Sequence, residues 1–153
     1  MHSTASSWAA PLALASASAF AGAAVYVAAV EHPARTQALD DDGALKQWKP
    51  SYKRAAVMQA SLAVVSAALG VKAAAAAHGR DPRFLWGAGL IFANLPFTLA
   101  GIAPINANLL AQATGDAESR GKLRTWGRLH LVRVALSVVA SGAYACGLAE
   151  PLA

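Results

Sequence analysis

Charged side chains are scarce in this chain of 153 residues. Only 14% of the residues are Asp, Glu, Lys or Arg, whereas 56% are hydrophobic, and the mean hydropathy is +0.40. Ordinary soluble domains carry about 25% charged residues, so this composition excludes a typical soluble globular protein. It indicates an integral, multi-pass membrane protein whose main partner is the lipid bilayer.

Cysteine is nearly absent as well. The single Cys146 excludes an intramolecular disulfide, and because it lies in an apolar stretch we expect it to have a packing role. The sequence also lacks CxxC and HExxH motifs, two spacings that mark metal sites in other proteins. Neither a disulfide framework nor a recognisable metal-binding motif therefore organises the chain.

Long apolar runs, in contrast, are abundant. A helix crosses a bilayer with roughly 20 residues, and four apolar runs of about this length cover residues 8–30, 55–77, 84–103 and 127–149. No Lys or Arg precedes the first run, whereas a signal peptide begins with a positive region, so we expect an uncleaved span. The sequence predicts an all-α fold, a four-helix transmembrane bundle formed by one domain over residues 1–153.

Basic residues gather in two of the three connections, residues 31–54 and 104–128. In a chain with four spans these two connections lie on the same side of the membrane. The positive-inside rule places that side in the cytoplasm and both termini outside. The net charge of +5 is then explained by orientation and by contact with lipid headgroups, and nucleic acid is not expected as a partner.

Polar residues inside the spans recur at helical spacing. Trp126, His130 and Arg133 follow one another by four and three positions, so they share one face of the fourth helix. Tyr52 begins a similar polar face on the second helix. Small residues occupy much of these faces, which favours close packing of the helices and also allows homo-oligomers.

The third span combines polar residues with a proline. Asn94 and Thr98 lie four positions apart on one face, and Pro96 stands between them at about mid-span. A proline inside a helix frees a backbone carbonyl and kinks the helix. We expect a kinked third helix that opens one half of the bundle to a ligand.

Topology brings polar residues of all four spans to the basic side of the predicted bundle. The set comprises Glu31, His32, Arg35, Tyr52, Asn106, Trp126, His130 and Arg133. A carboxylate near a helix C-terminus opposes the helix dipole, so Glu31 needs a partner such as Arg35, Arg133 or His130. Two histidines, a carboxylate and an arginine that converge near the membrane interface form a candidate site.

Four stretches of the chain resemble a known family. They are EHPAR at 31–35, WKPSYKRAAVMQA at 48–60, LPFTLAGIAPINANLL at 95–110 and LRTWGRLHLVR at 123–133. In this order they are similar to the DUF1772 family, whose characterised members are the anthrone oxygenases of polyketide pathways. The chain departs from the family pattern at two positions. Many members carry Thr at the position of Ile105, and Asn is common in the fungal enzymes at the position of His130.

The resemblance implies a small membrane oxygenase that adds O2 to an anthrone or a similar hydroxyaromatic molecule without a cofactor, after a base has removed a proton. His130 would be the base, Arg133 would stabilise the oxyanion, and Glu31 would hold His130 or His32 in the useful tautomer. The residues expected to bind the substrate are Trp126, which would stack on it, and Asn106, Tyr52, Arg35, Asn94 and Thr98, which would make polar contacts.

Two other interpretations fit the same residues. Glu31, His32 and His130 would supply a carboxylate and two imidazoles, a ligand set that suits iron or zinc, provided that Pro33 breaks the helix between them. Alternatively, the chain is a non-enzymatic membrane bundle in which aromatic residues such as Trp126 are interfacial anchors. The depth of these side chains in the bundle distinguishes the non-enzymatic interpretation from the enzymatic ones, because anchors point outward to the headgroups and site residues point into the bundle.

Overall fold

The computed structural model describes residues 8–77 and 81–149, which fold into four α-helices. The helices are α1 (Ala9–Ala38), α2 (Asp41–Ala76), α3 (Arg83–Ala111) and α4 (Ala117–Ala149), and each is long and apolar enough to cross a membrane. They form an antiparallel bundle in which α1 and α3 each pack along both α2 and α4. Within these residues, the predicted all-α fold with four candidate membrane spans is confirmed.

The helices extend beyond the apolar runs at one end of the bundle. α2 begins at Asp41 instead of residue 55, and α4 begins at Ala117 instead of residue 127. Hydropathy detects only the part of a helix that suits lipid, whereas capping residues determine where the helix begins. Asp40 caps the first turn of α2, and Asp116 and Ser119 bond each other's backbone N–H groups at the start of α4.

This extension carries the bundle out of the hydrocarbon layer. At about 1.5 Å per residue, the 33 residues of α4 reach about 50 Å, whereas the hydrocarbon core of a bilayer is about 30 Å thick. The bundle therefore projects from the membrane on the side where α1 and α3 end.

Two apolar cores fill the bundle, one in each half. The core within the apolar runs is built mainly from alanine, with a few large side chains such as Phe20 and Tyr144. The core of the projecting half contains larger residues, among them Leu45, Trp48 and Leu123. Between the two cores lies a layer of buried polar side chains, which includes Gln59, His130, Arg133 and Ser137.

α1 and α3 each contain one π-helical turn, Val27–Glu31 and Thr98–Ile102, towards the projecting end. In both helices a proline, Pro33 or Pro104, stands two positions after the turn. A proline ring clashes with the carbonyl four residues earlier, and that carbonyl belongs to the π turn in both cases, so the wider turn relieves the clash. The first helix thus passes through its proline unbroken, and the third departs from α geometry just beyond Pro96.

Tyr144 of α4 is wedged between α2 and α3 in the alanine-rich core. Its side chain is fully buried, and its hydroxyl donates to the Ser66 carbonyl at 3.1 Å. Gly70 and Gly87 make room for the ring, because a Cβ on either residue would lie 2.8 Å and 2.6 Å, respectively, from Tyr144 Cε1. The ring therefore fixes the spacing of three helices.

Polar contacts between the two connections close the projecting end. The Arg120 guanidinium donates to the carbonyls of Thr36 and Leu39, both at 2.7 Å, and also binds the Asp41 carboxylate. Gly115 packs directly on the start of α2, and its backbone N–H donates to the Asp42 carboxylate at 3.0 Å. The end of α1 and the start of α2 are thereby tied to the start of α4 and to the connection that precedes it.

We expect Gly87→Ala to destabilise the protein by about 1–3 kcal/mol, because the new methyl group would overpack the Tyr144 ring. Gly89→Ala is the matched control, since a Cβ at Gly89 meets no atom within 4 Å. Thermal unfolding in detergent measures both variants against the wild type. Equal unfolding midpoints for the two variants would contradict the wedge.

Candidate functional site

The predicted site residues of all four helices meet at the level where the apolar runs end. A continuous chain of contacts runs from Glu31 through Arg35, His32, Trp126, Trp48 and Tyr52 to Asn106, and His130 joins it at Trp126. Trp126 is 5% exposed, His130 2% and Arg133 9%. These side chains point into the bundle, as a site requires, and not outward as interfacial anchors would.

His130 is held by a backbone carbonyl of α1. Its Nε2 lies 3.1 Å from the Ala24 carbonyl oxygen, and because a carbonyl only accepts, Nε2 carries the hydrogen. The other ring nitrogen, Nδ1, then bears a free lone pair, and it is buried without a hydrogen-bond partner. The Trp126 indole stacks on the imidazole, with ring centroids 5.1 Å apart and planes within 10°. His130 thus presents a basic nitrogen in an aromatic, water-poor setting.

Arg133 lies about one turn further into the membrane on the same helix face. Its Nη2 donates to Gln59 Oε1 at 2.7 Å, and its guanidinium carbon stands 5.3 Å from the centre of the Phe20 ring. Its Nε is buried without a partner, and within residues 8–77 and 81–149 it forms no ion pair with a carboxylate. A buried cation compensated only by an amide and an aromatic face attracts an anionic group.

Glu31 pairs with Arg35 and not with a histidine. Arg35 Nη2 donates to Glu31 Oε1 at 2.6 Å, Gln47 donates to the same oxygen at 3.2 Å, and the Ser51 hydroxyl donates to it as well. Among the described residues, the expected hydrogen bond from a histidine to this carboxylate is not present. The dipole argument does not apply either, because α1 continues past Glu31 to Ala38.

Stacked aromatic side chains surround this polar group. The rings of Trp48 and Tyr52 lie parallel at 4.8 Å, and Trp48 meets Trp126 edge-on at 5.9 Å. Asn106 Nδ2 donates to the Tyr52 hydroxyl at 3.0 Å, which ties α3 into the cluster. These rings are packed against one another and against His130, so they enclose the polar group in an aromatic setting.

His32 reaches α4 because the residue it meets there is a glycine. A Cβ on Gly127 would lie 2.5 Å from His32 Nε2, so any larger residue would push the imidazole away. The ring lies against Trp126, with centroids 5.5 Å apart, and its Nδ1 is 3.4 Å from Arg35 Nη1. His32 therefore connects the Glu31–Arg35 pair to the indole that stacks on His130.

Two cavities adjoin these residues. One is enclosed, has a volume of about 20 Å³ and is lined by residues of α1, α2 and α4 that include Arg35, Tyr52, Trp126, His130 and Arg133. A space of this size holds about one water-sized molecule. The other is a groove of about 480 Å³ between α1 and α2 that opens to the outside of the bundle.

Unpaired polar atoms concentrate around the enclosed cavity. Five residues that line it carry a buried side-chain atom without a partner among the described residues: Trp48 Nε1, Gln59 Nε2, Trp126 Nε1, His130 Nδ1 and Arg133 Nε. Native proteins pair most buried polar groups, because an unpaired one costs about 1–3 kcal/mol. Such a cluster at one place indicates a site that a ligand or ordered water completes.

Two of the predicted substrate-binding residues lie apart from both cavities. The Asn94 amide donates back to the carbonyls of Leu90 and Ile91 in its own helix, and Thr98 donates to the Asn94 carbonyl at 2.7 Å. Neither side chain lines the groove or the enclosed cavity. The Asn94 amide nitrogen and the Thr98 hydroxyl bond within their own helix, as happens often in membrane helices, whereas Asn94 Oδ1 is buried without a partner.

Four residues without a predicted site role complete the cluster: Gln47, Trp48, Ser51 and Gln59. The first three precede residue 55, where the second span was expected to begin, and unlike Tyr52 they do not fall in the seven-residue spacing of that span's polar face. Once α2 is known to begin at Asp41, Trp48 and Gln59 fall four positions before and seven positions after Tyr52. That spacing places both on the Tyr52 face of the helix.

The proposed ligands of a metal ion do not come together. Within the described part of the chain, no group of three or more His, Cys, Asp or Glu side chains is placed to hold a metal. A site formed by Glu31, His32 and His130 requires a helix break at Pro33, whereas α1 is continuous there.

Comparison with protein-family profiles matches residues 48–143 to the anthrone oxygenase family. The matched segment includes the site residues of α2 from Trp48 onward and those of α3 and α4, and it leaves out Gln47 and the site residues of α1. Comparisons with curated proteins and with solved structures give no match. Because the profile match covers more than half of its residues, this chain belongs to the anthrone oxygenase family.

Proposed function

We propose that this protein is a membrane-embedded oxygenase that oxidises an anthrone-like hydroxyaromatic molecule with O2 and without a cofactor. The observation that carries the proposal is the group of unpaired polar atoms, led by His130 Nδ1 and Arg133 Nε, around one enclosed cavity in a member of the anthrone oxygenase family. A base, a cation and stacked rings are what this reaction needs from a protein.

The proposed reaction converts an anthrone and O2 into an anthraquinone and water. The base removes one proton from the benzylic CH2 carbon, the carbanion passes one electron to O2, and the two radicals combine into a carbon-bound peroxide. Loss of the second C–H proton with cleavage of the O–O bond leaves a carbonyl. One oxygen atom stays on the carbon and the other leaves as water, so the four electrons lost by the carbon are the four gained by O2.

His130 is the base in this proposal. Its Nε2 hydrogen is committed to the Ala24 carbonyl, so the proton from the substrate is taken by the lone pair on Nδ1. The stacked Trp126 ring and the contacts of His32 with that ring position the imidazole. Glu31 and Arg35 act on the reaction only through this positioning.

Arg133 stabilises the negative charge that develops on the substrate oxygen when the proton leaves. Its charge is buried and no described carboxylate neutralises it, so it is available to an enolate or phenolate oxygen. Trp126 and Tyr52 would stack on the rings, and Asn106 acts through the Tyr52 hydroxyl. In this proposal the end of the bundle with the basic connections faces the cytoplasm, as the positive-inside rule predicts.

We expect His130→Ala to lower oxygen uptake with an anthrone by about 10²–10⁴-fold, the usual contribution of a general base. Leu131→Ala is the control, since Leu131 is 56% exposed on the lipid-facing side of the same helix. Uptake is measured with an oxygen electrode on detergent-purified protein that elutes as a folded species. Full activity in His130→Ala would remove this residue as the base.

Arg133→Met is expected to lower the turnover rate by about 10²–10³-fold, because the oxyanion loses its cation. The same variant should unfold at a temperature equal to or above that of the wild type, since replacing a buried charge with an apolar side chain is often neutral or stabilising. A structural role predicts the opposite, a less stable protein. Thermal unfolding and oxygen uptake on one preparation separate the two readings.

An iron- or zinc-dependent oxidase is the other enzyme that the same residues suggest. The described residues offer no three-ligand group, which favours the metal-free reaction. We therefore expect dialysis against a strong chelator to leave oxygen uptake unchanged. Loss of uptake on chelation, with recovery when iron or zinc is returned, would establish the metal-dependent alternative.

A further inference from the structure

The groove between α1 and α2 has the size of a small-molecule site. Its volume is about 480 Å³, and such sites occupy about 300–1,000 Å³. The enclosed cavity beside His130, at about 20 Å³, is far too small for a molecule with several rings. A substrate of that kind therefore has to approach the site through the groove.

The lining of the groove is apolar on one side and polar on the other. Its apolar side is formed by Ala23, Tyr26, Val27, Ala55 and Met58, and its polar side includes Glu31, Ser51 and Gln59. Tyr26 and Met58 are 57% and 48% exposed, and both belong to apolar runs, so the mouth faces lipid. A flat apolar molecule with oxygens on one edge matches both sides, whereas an acyl chain would leave the polar side unpaired.

Gln59 belongs to the groove and to the enclosed cavity at once. With Val27, Ser51 and Ala55, it forms the wall that the two spaces share. Its Oε1 accepts the hydrogen bond from Arg133, whereas its Nε2 is buried without a partner in a side chain that is 1% exposed. The hydrogens on Gln59 Nε2 are therefore available to an acceptor oxygen of a ligand.

We propose that this groove binds the hydroxyaromatic ligand, which enters it from the bilayer, and that Gln59 donates from Nε2 to a ligand oxygen while its Oε1 orients Arg133. The inference deepens the proposed function and rests on it for the class of ligand. Gln59 is a positioning residue in this scheme, because it holds the oxygen-bearing edge of the ligand at the wall behind which His130 and Arg133 lie. For the proton transfer of the proposed function, the side chains of this wall have to move aside so that the reacting carbon reaches His130 Nδ1.

The groove can be blocked after the protein has folded. Arg54 lines it, whereas Lys53, an exposed neighbour of the same charge, does not. Arg54→Cys and Lys53→Cys are made in a Cys146→Ser background, which removes the single native cysteine, and each folded protein is labelled with a bulky maleimide. Binding of a dihydroxyanthraquinone is followed by fluorescence, and oxygen uptake is followed with a dihydroxyanthrone.

The label at position 54 is expected to abolish binding and uptake, and the label at position 53 is expected to leave both unchanged. Uptake that survives the label at position 54 would overturn the groove and leave the proposed function standing. If the label at position 54 blocks binding and the unlabelled protein consumes no oxygen, the groove would be supported and the proposed function overturned. A co-purified phospholipid that this label displaces, with no binding of the anthraquinone, would assign the groove to lipid and overturn the inference.

Gln59→Leu tests the hydrogen bond itself. Binding of dihydroxyanthraquinone should weaken by about tenfold, the value of one buried hydrogen bond. Binding of anthracene, which has the same three rings and no oxygen, should not change. A loss that affects both molecules equally would show that Gln59 only supports the fold, and an unchanged affinity for the anthraquinone would remove it from the binding site.

Discussion

A buried arginine without a carboxylate partner is the constraint on which this end of the bundle depends. Moving a guanidinium group out of water costs several kcal/mol, and a single amide with one aromatic face offsets that cost only in part. The groups around Arg133 that meet its charge, Gln59 and Phe20, come from α2 and α1, so side chains of two neighbouring helices share the partial compensation of one charge on α4. In this arrangement the positive charge of Arg133 is compensated only in part by the protein groups around it, and its neutralisation is left to a ligand.

The two halves of the bundle differ in role. The membrane half packs the helices closely together, and the candidate binding site lies where the projecting half begins. Alanine and glycine in the membrane half let the helices approach until Tyr144 fills the remaining space, and this half is closely packed. In the projecting half the cores contain tryptophan and leucine, and the π turns before Pro33 and Pro104 widen their helices at that level. The change from small to large side chains coincides with the polar layer and its cavities.

Much of this architecture follows from sequence patterns with known physical causes. The apolar runs predict four helices, and the spacing of Trp126, His130 and Arg133 places them on one inward face, because the helical period leaves no alternative. The starts of α2 and α4 are not visible to hydropathy, since they lie outside the lipid, and this is why Trp48 was missed. Arg35 was among the expected partners of Glu31, since it lies four positions later on the same helix. Partners on other helices, such as Ser51 for Glu31 or the Ala24 carbonyl for His130, depend on rotamers and inter-helix distances that one sequence does not encode visibly.

Asn94 and Thr98 show the same limit of sequence-based prediction for residues whose helix face is predicted correctly. Their spacing on the third helix is correct, but a polar side chain in a helix can bond to its own backbone, and spacing does not distinguish that outcome from a role in a site. The π turns were not predicted from the sequence. The third helix was expected to be distorted at Pro96, whereas its π turn lies against Pro104.

The single hydrogen bond from His130 to the Ala24 carbonyl also bears on how protons are handled. Once Nδ1 accepts a proton, the imidazolium and the Arg133 guanidinium are two cations one helical turn apart in a setting with little water, and their repulsion makes the protonated state short-lived. No described carboxylate bonds to either side chain to carry the charge away. Under the proposed chemistry, the histidine would return its proton to the peroxide of the same substrate molecule, so that each reaction cycle is closed with respect to protons and needs no exchange with the solvent.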